Sequence, residues 1–545
     1  MAAAKRHADL LVLGLLVIFV IAYAATSVDF GAPPYEDAAM LMRYADHLAH
    51  GYGIVWNVGQ HPVDGATDFL FMAASAALIR VGVPVGRSVR ALGFVSHILT
   101  VLLVYWVNRR VWKASLVVSL LSALYLAVGT GLSYVAAFFG TPCFALFATL
   151  TWAFALVLIQ RKDAPRWTAW AFALSGLVTG LIRPEGVILA VLMLIAAILT
   201  RGLRASFGII AVFAGVFLVL GGAYFAWHWN YFGYPLPNPF YKKGGGLLHW
   251  DSFWESLGNL VRFAGPFTLA FVLGLRSRRA ARLTAAMLIP VLLFAATFLL
   301  ISNETNYGGR FQYALWPLVL VSWYPLVSEL PSELGVCWSL PAGPAARAAL
   351  AAACLLGVYG LLRYAVQQTC SLTIAQQSCG ISYENDGRYE AAKLLSNYAG
   401  KGYVIATSEA GLLPFYSGWD AIDTWGLNDE WIAHNGDITQ QYLDQYKPHL
   451  IVFHAYFSPL VPPRLIQKNM TQDWFRMTIT LKDYAESHGY RLAAAFGDSP
   501  YETHYYYVRP DFPDSARLAH DIASMKDYYW FGTGRKSINY ARPGQ

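Results

Sequence analysis

Through residue 366 or so, stretches of apolar residues without a single charge alternate with short, charge-rich connections. Leu10 to Ala25 is the first, and uncharged runs of roughly 17–22 residues follow it, each long enough to cross a bilayer. The runs predict spanning helices at about 10–28, 90–108, 114–132, 136–160, 167–182, 186–200, 206–227, 263–275, 283–301, 311–329 and 347–366. A different pattern lies after the first of them. Pro33-Pro34-Tyr35 stops the first helix, Glu36 and Asp37 open a second, and Gly51 and Gly53 end it. Arg43, Asp46, His47 and His50 fall on one side of that helix, with Met40, Leu41, Tyr44 and Leu48 on another. This is the pattern of a helix lying in a membrane surface.

Composition agrees with a polytopic membrane protein: 56% of residues are apolar and 13% charged, against about 25% charged in soluble domains. Lys5 and Arg6 precede the first span and no small-residue cleavage site follows it, so that span reads as a retained signal anchor. The net charge of +7 points to topology rather than to nucleic acid, because the cations gather at span ends. The groups are Lys5/Arg6, Arg109/Arg110/Lys113, Arg161/Lys162/Arg166, Arg201/Arg204 and Arg276/Arg278/Arg279/Arg282. All of them fall on the cytoplasmic side, as the inside-positive trend requires, if Thr67 to Val81 is a short re-entrant or interfacial helix. The chain then makes about eleven crossings, with the N-terminus inside and the polar C-terminal region outside.

The cysteines add little. Cys143 and Cys354 lie within spans and Cys337 in an inner loop, while Cys370 and Cys379 fall outside, where an oxidising compartment permits a disulfide between them.

With this topology the unusual polar residues collect on one side of the membrane. They are Glu36, Asp37, Trp56-Asn57 and Asp64 to Asp68 of the first outer loop; Arg183-Pro184-Glu185-Gly186; His228 through Lys243; and Asn303 through Phe311. Cations on the outer side run against the trend, and a lipid-borne phosphate supplies a reason for them. Plainer roles stand beside that one. Acids favour the first turn of any helix, Arg183 and Glu185 can pair with each other, Lys242 and Lys243 can be solvated, and Arg310 can snorkel. His228 fits an aromatic belt, and Asp64 and Asp68 fit turns and caps.

The stretch Glu36-Asp37-Ala38-Ala39-Met40-Leu41-Met42-Arg43-Tyr44-Ala45, with Gly51-Tyr52-Gly53-Ile54-Val55-Trp56-Asn57 after it, resembles the first outer loop of bacterial GT-C glycosyltransferases. Within that superfamily the stretch looks like that of the mycobacterial-type terminal arabinofuranosyltransferases and their bacterial relatives. Arg183-Pro184-Glu185-Gly186 matches an Arg-Pro-Glu-Gly turn of that group, and Tyr231-Phe232-Gly233 through Pro237-Asn238 to Lys243 resembles its Tyr-Tyr-Gly…Pro-Asn…Lys loop. Glu409-Ala410-Gly411, Tyr416-Ser417-Gly418 and Ile422-Asp423-Thr424-Trp425-Gly426-Leu427 also look similar.

The resemblance implies a GT-C-type membrane domain over 1–366 with an extracytoplasmic α/β domain over 367–545, in the bacterial cytoplasmic membrane. It further implies inverting transfer of a sugar, arabinofuranose above others, from a polyprenyl-phosphate donor to a glycan, lipid or protein acceptor. Asp37 becomes the general base beside Glu36. Arg183, Lys243, Arg310, Lys242, Asn238 and Tyr241 become donor and phosphate ligands, and Arg43, Asp68, His228 and Glu185 acceptor or sugar ligands. Two departures appear. The family pair is usually Asp-Asp, and its Gly-x-Glu-Thr stretch reads Phe138-Phe139-Gly140-Thr141 here, without the acid.

No histidine-rich spacing demands a metal, although Glu36/Asp37 with an outer Asp leave a divalent cation open. No covalent enzyme nucleophile is indicated. Hexosyl transfer is the alternative within the same superfamily. A lipid or solute transporter is a weaker one, since the spans lack buried charges at mid-membrane depth. In the C-terminal region Tyr403 to Ala406 and Leu450 to Phe453 read as buried strands, and Arg388 to Tyr398 and Leu481 to His488 as helices, an α/β layer without a nucleotide-binding glycine loop.

Overall fold

A computed structural model describes residues 2–161, 163–328, 330–333, 343–370, 387–465, 471–525 and 537–541. The membrane part begins with α1 (Ala2–Ser27), α2 (Glu36–Ala49), α3 (Phe69–Arg80), α4 (Val85–Trp106), α5 (Leu116–Ala127) and α6 (Gly131–Ala136). It continues with α7 (Thr141–Gln160), α8 (Arg166–Ile182), α9 (Glu185–Arg201), α10 (Leu203–Val216), α11 (Gly222–Phe232), α12 (Asn238–Lys242) and α13 (Trp250–Ala264). It closes with α14 (Thr268–Arg276), α15 (Ala281–Thr297), α16 (Leu315–Leu320), α17 (Trp323–Val327), α18 (Leu330–Glu333) and α19 (Pro344–Cys370).

Among the described residues, 7 helical segments are long and apolar enough to cross a bilayer: His7–Ser27, Val85–Val111, Leu116–Ala136, Thr141–Gln160, Leu203–Phe232, Trp250–Arg276 and Pro344–Gln368. α8, α9 and α15 have 17 residues each, at the short end of what spans. α3 has 12 residues, about 18 Å at 1.5 Å per residue, and is too short to cross, as expected for Thr67 to Val81.

Two expected spans differ. The one placed at 263–275 belongs to a segment beginning at Trp250, its first half amphipathic through Asp251, Glu255 and Arg262. The one placed at 311–329 is no continuous helix but the short α16 and α17, and residues 315–321 are almost wholly buried. Broken backbone survives at membrane depth where protein rather than lipid surrounds it. Three of the cationic clusters converge on one end of the bundle: Arg201 donates to the Leu158 and Arg161 carbonyls, and Arg282 to the Leu199 carbonyl.

The C-terminal part is a mixed sheet of β1 (Val404–Thr407), β2 (Asp420–Asp423), β3 (Leu450–Ala455), β4 (Arg491–Ser499), β5 (Glu502–Val508) and β6 (Ile538–Asn539), in the order β2-β1-β3-β5-β4-β6. β2, β1 and β3 are parallel, and β5, β4 and β6 join antiparallel. α20 (Arg388–Ser396), α21 (Leu412–Ser417), α22 (Glu430–Asn435), α23 (Gln440–Tyr446), α24 (Gln472–Ser487) and α25 (Ser515–Ala523) complete it. The expected strands and helices are present, while β2, β4, β5 and β6 extend the sheet beyond them. Cys337 and Cys379 lie outside the described residues, and with Cys379 the expected disulfide.

This sheet domain grips α2 and the loop that follows it. Ala421 and Asn57 exchange hydrogen bonds, the Trp56 indole donates to the Ala421 carbonyl at 2.8 Å, and the Tyr44 hydroxyl reaches Asn428 at 3.0 Å. α2 is therefore covered, and not a helix lying free on a membrane surface.

Candidate active site

Prolines place the site's charged residues. Pro184 pushes Arg183 out of helical geometry (φ −142°, ψ 132°), so α8 stops at Ile182 and α9 restarts at Glu185. The turn closes tightly: a Cβ at Gly186 would lie 2.4 Å from the Thr179 carbonyl oxygen. Tyr35 is likewise extended after Pro33-Pro34, which sets Glu36 and Asp37 in the first turn of α2.

These turns meet the loops before α12 and α16 around a cavity of about 490 Å³. Asp37, Asp68, Arg183, Glu185, Lys243 and Arg310 all line it. The remaining wall is largely apolar, with Phe138, Ile188, Leu236, Phe240 and Phe298 among its residues.

The three cations differ in how their charge is met. Arg183 is doubly paired, with Asp68 at 3.0 Å and Glu185 at 2.6 Å, so the plain Arg183–Glu185 pairing is present but extended by a third partner. Arg310 donates to Asp37 at 2.5 Å, and its buried Nε has no hydrogen-bond partner among the described residues. Both guanidinium groups face the Phe311 ring, at 4.8 and 5.2 Å, and Arg310 also covers Phe139 at 4.3 Å. Lys243 forms no ion pair among the described residues. Its ammonium donates to the Thr305 hydroxyl at 2.7 Å and the Glu304 carbonyl at 3.0 Å, and burial pushes its pKa below the ordinary lysine value.

Amides fix the 303–312 loop. Asn306 donates to Gln312 at 2.7 Å and accepts from the Phe311 backbone N–H at 3.0 Å, while Gln312 donates to Asn303. Thr305 (φ +62°) and Phe138 (φ +65°) hold left-handed backbone that costs non-glycine residues free energy, and both line the cavity. Asp68 stands beside Gly140, where a Cβ would come within 2.4 Å of its carboxylate. Burial raises the Asp68 pKa, and Arg183 next to it pulls the other way.

The other sequence candidates do not line this cavity. Glu36 turns from Asp37 to accept from the Gly411 and Leu412 backbone N–H groups and to face Arg388 at 3.3 Å. Among the described residues, Glu36 and Asp37 do not form a three-ligand cation site with an outer aspartate. Arg43 is buried, its guanidinium spent on the Trp56, Pro414 and Trp419 carbonyls and the Asn57 side chain. The polar side of α2 that carries Arg43 thus faces the sheet domain at this point, which supplies two of the acceptors.

Lys242 points to the sheet domain, donating to the Gly436 carbonyl and lying 4.4 Å from the Trp425 ring. Tyr241 packs on His434 at 4.4 Å. Asn238 holds the loop to the Asp64 carbonyl through its backbone N–H at 2.9 Å. His228 pairs with Asp64 at 2.7 Å. The sequence reading missed Thr305 and the Asn303/Asn306/Gln312 brace, which carry no signal beyond an amide-rich loop.

Solved structures share this architecture. ArnT from Cupriavidus metallidurans bound to undecaprenyl phosphate is 14% identical, with a TM-score of 0.55 over 90% of this chain and 97% of that one. The archaeal oligosaccharyltransferase AglB from Archaeoglobus fulgidus, in complex with an inhibitory peptide and a dolichol-phosphate, is 12% identical, with a TM-score of 0.53 over 93% and 75%. The apo oligosaccharyltransferase of Archaeoglobus fulgidus is 11% identical, with a TM-score of 0.55 over 97% and 82%. The chain has the GT-C fold. Identities this low establish that fold alone. Within it, residues 376–511 match a family model described as a domain of unknown function, DUF8728. No curated protein matches this chain in sequence.

Proposed function

We propose that the chain is an inverting glycosyltransferase, moving a sugar from a polyprenyl-phosphate donor to a glycan, lipid or protein acceptor at the outer face of the bacterial cytoplasmic membrane. One observation carries this reading: Asp37 shares an apolar-walled cavity with Lys243 and Arg310, whose charges suit a lipid phosphate. The GT-C fold supports it, since relatives of that fold were solved with undecaprenyl phosphate and with a dolichol-phosphate.

In this scheme Asp37 takes the acceptor hydroxyl proton as the oxygen attacks the anomeric carbon. The bond from that carbon to the phosphate oxygen breaks, and its electron pair leaves with the lipid phosphate. Lys243, without a carboxylate partner among the described residues, and Arg310, whose Nε has no partner among them, hold the departing charge. A single displacement inverts the anomeric centre. Arg183 is neutralised by two acids and acts mainly to set Asp68 and Glu185 against the sugar. Asp68 beside Gly140 supplies the carboxylate missing from the Gly-x-Glu-Thr position. The apolar wall receives the first prenyl units.

Arabinofuranose is the sugar the loop motifs favour, with a hexose as the alternative. Incubating the purified protein in membranes with a panel of defined polyprenyl-phosphate sugars, and weighing the products by mass spectrometry, tests this. A pentose increment on the acceptor is the expected result. A hexose increment would replace the sugar assignment, and no increment with any donor would overturn the transferase reading.

A further inference from the structure

β3 and β5 run antiparallel with His454 directly opposite His504, which sets both imidazoles on one face of the sheet. Their ring centroids are 4.8 Å apart. Glu409, just past the end of β1, brings its Oε1 to 3.7 Å from His454 Nδ1. One ligand atom from each of Glu409, His454 and His504 lies within 4.8 Å of the others. The two histidines are 8% and 0% exposed, and the Glu409 side chain 11%.

The geometry points to a divalent transition-metal site at Glu409, His454 and His504, of the kind that takes Zn²⁺. Two imidazoles and one carboxylate suit zinc-class ions, whereas calcium and magnesium prefer oxygen alone. Ligand bonds of about 2.0–2.2 Å set tetrahedral neighbours roughly 3.4 Å apart. Separations of up to 4.8 Å therefore close by at most about 1.4 Å on ligation, within reach of side-chain rotation.

A second shell is present. Glu502, two residues before His504 on β5, places Oε1 at 3.0 Å from His454 Nε2, so the carboxylate orients the ring with Nδ1 toward Glu409. The other Glu409 oxygen meets Arg388, which also faces Glu36 in the first turn of α2. A bound ion would thus fix Glu409, Arg388 and Glu36 in sequence, and Glu36 precedes Asp37. The metal acts as a clamp between the sheet domain and the helix that carries the base, a positioning role distinct from transfer.

The assignment goes beyond the transferase reading and is tested by metal binding alone. The full-length protein in detergent is stripped with EDTA and titrated with Zn²⁺ against a chromophoric chelator, with bound zinc counted by mass spectrometry. One zinc per chain is expected, together with a rise in melting temperature. His454→Gln/His504→Gln should lose that zinc, and Glu502→Gln, at a side chain 31% exposed, should weaken affinity roughly tenfold without unfolding the domain. Absence of stoichiometric zinc from the native protein, or unchanged zinc affinity in Glu502→Gln and the double variant, would overturn it.

Discussion

Lys243 and Arg183 show how unequally the cavity treats its cations. An ammonium is charged below its pKa, and burial lowers that of Lys243 from the ordinary 10.5. Its charge is therefore lost at a lower pH than that of a free lysine. Donor affinity should fall on the alkaline side earlier than lysine chemistry in water predicts, and Lys243→Arg should move that limb to higher pH; KM against pH reads both. Arg183→Met leaves Asp68 and Glu185 buried without their counter-ion and should cost about 3 kcal/mol of stability, read by thermal unfolding. The convergence of Asp37, Arg183, Lys243 and Arg310 on one cavity was legible in the sequence, where cations expected on the outer side call for an anion. Their individual partners were not. Arg43 reads in the sequence as a polar-side residue of a surface helix, a candidate sugar or acceptor ligand, and only the distant carbonyls of Pro414 and Trp419 reveal it as a buried tie.

At the scale of elements, the Arg183-Pro184-Glu185-Gly186 turn couples a backbone rule to function. Gly186→Ala would drive a Cβ into the backbone of α8, which cannot swing aside as a side chain can. It should lower stability by about 1–3 kcal/mol and also raise donor KM, since the turn aims Arg183 and Glu185. Hydropathy located most helices because a lipid-facing helix needs an unbroken apolar run. It misjudged residues 311–329, where an equally apolar run is buried at the bundle centre and breaks into α16 and α17. The pattern registers apolarity and not whether lipid or protein meets it. α2 failed in the opposite sense, its polar face being covered by a domain more than 300 residues away in sequence.

For the whole molecule, the hold of the sheet domain on α2 makes the two parts one functional unit. Arg43→Met removes hydrogen bonds to three carbonyls and should destabilise the protein by about 3 kcal/mol, and limited proteolysis should release the sheet domain more readily. The proposed transfer turns on Asp37, which Arg310 holds in the cavity wall. The most direct measurement compares native protein and Asp37→Asn for sugar transfer from a polyprenyl-phosphate donor, with donor binding measured in parallel. The variant should bind donor with nearly native affinity while transfer falls by about a hundred- to ten-thousandfold. Transfer by Asp37→Asn at close to the native rate would contradict this.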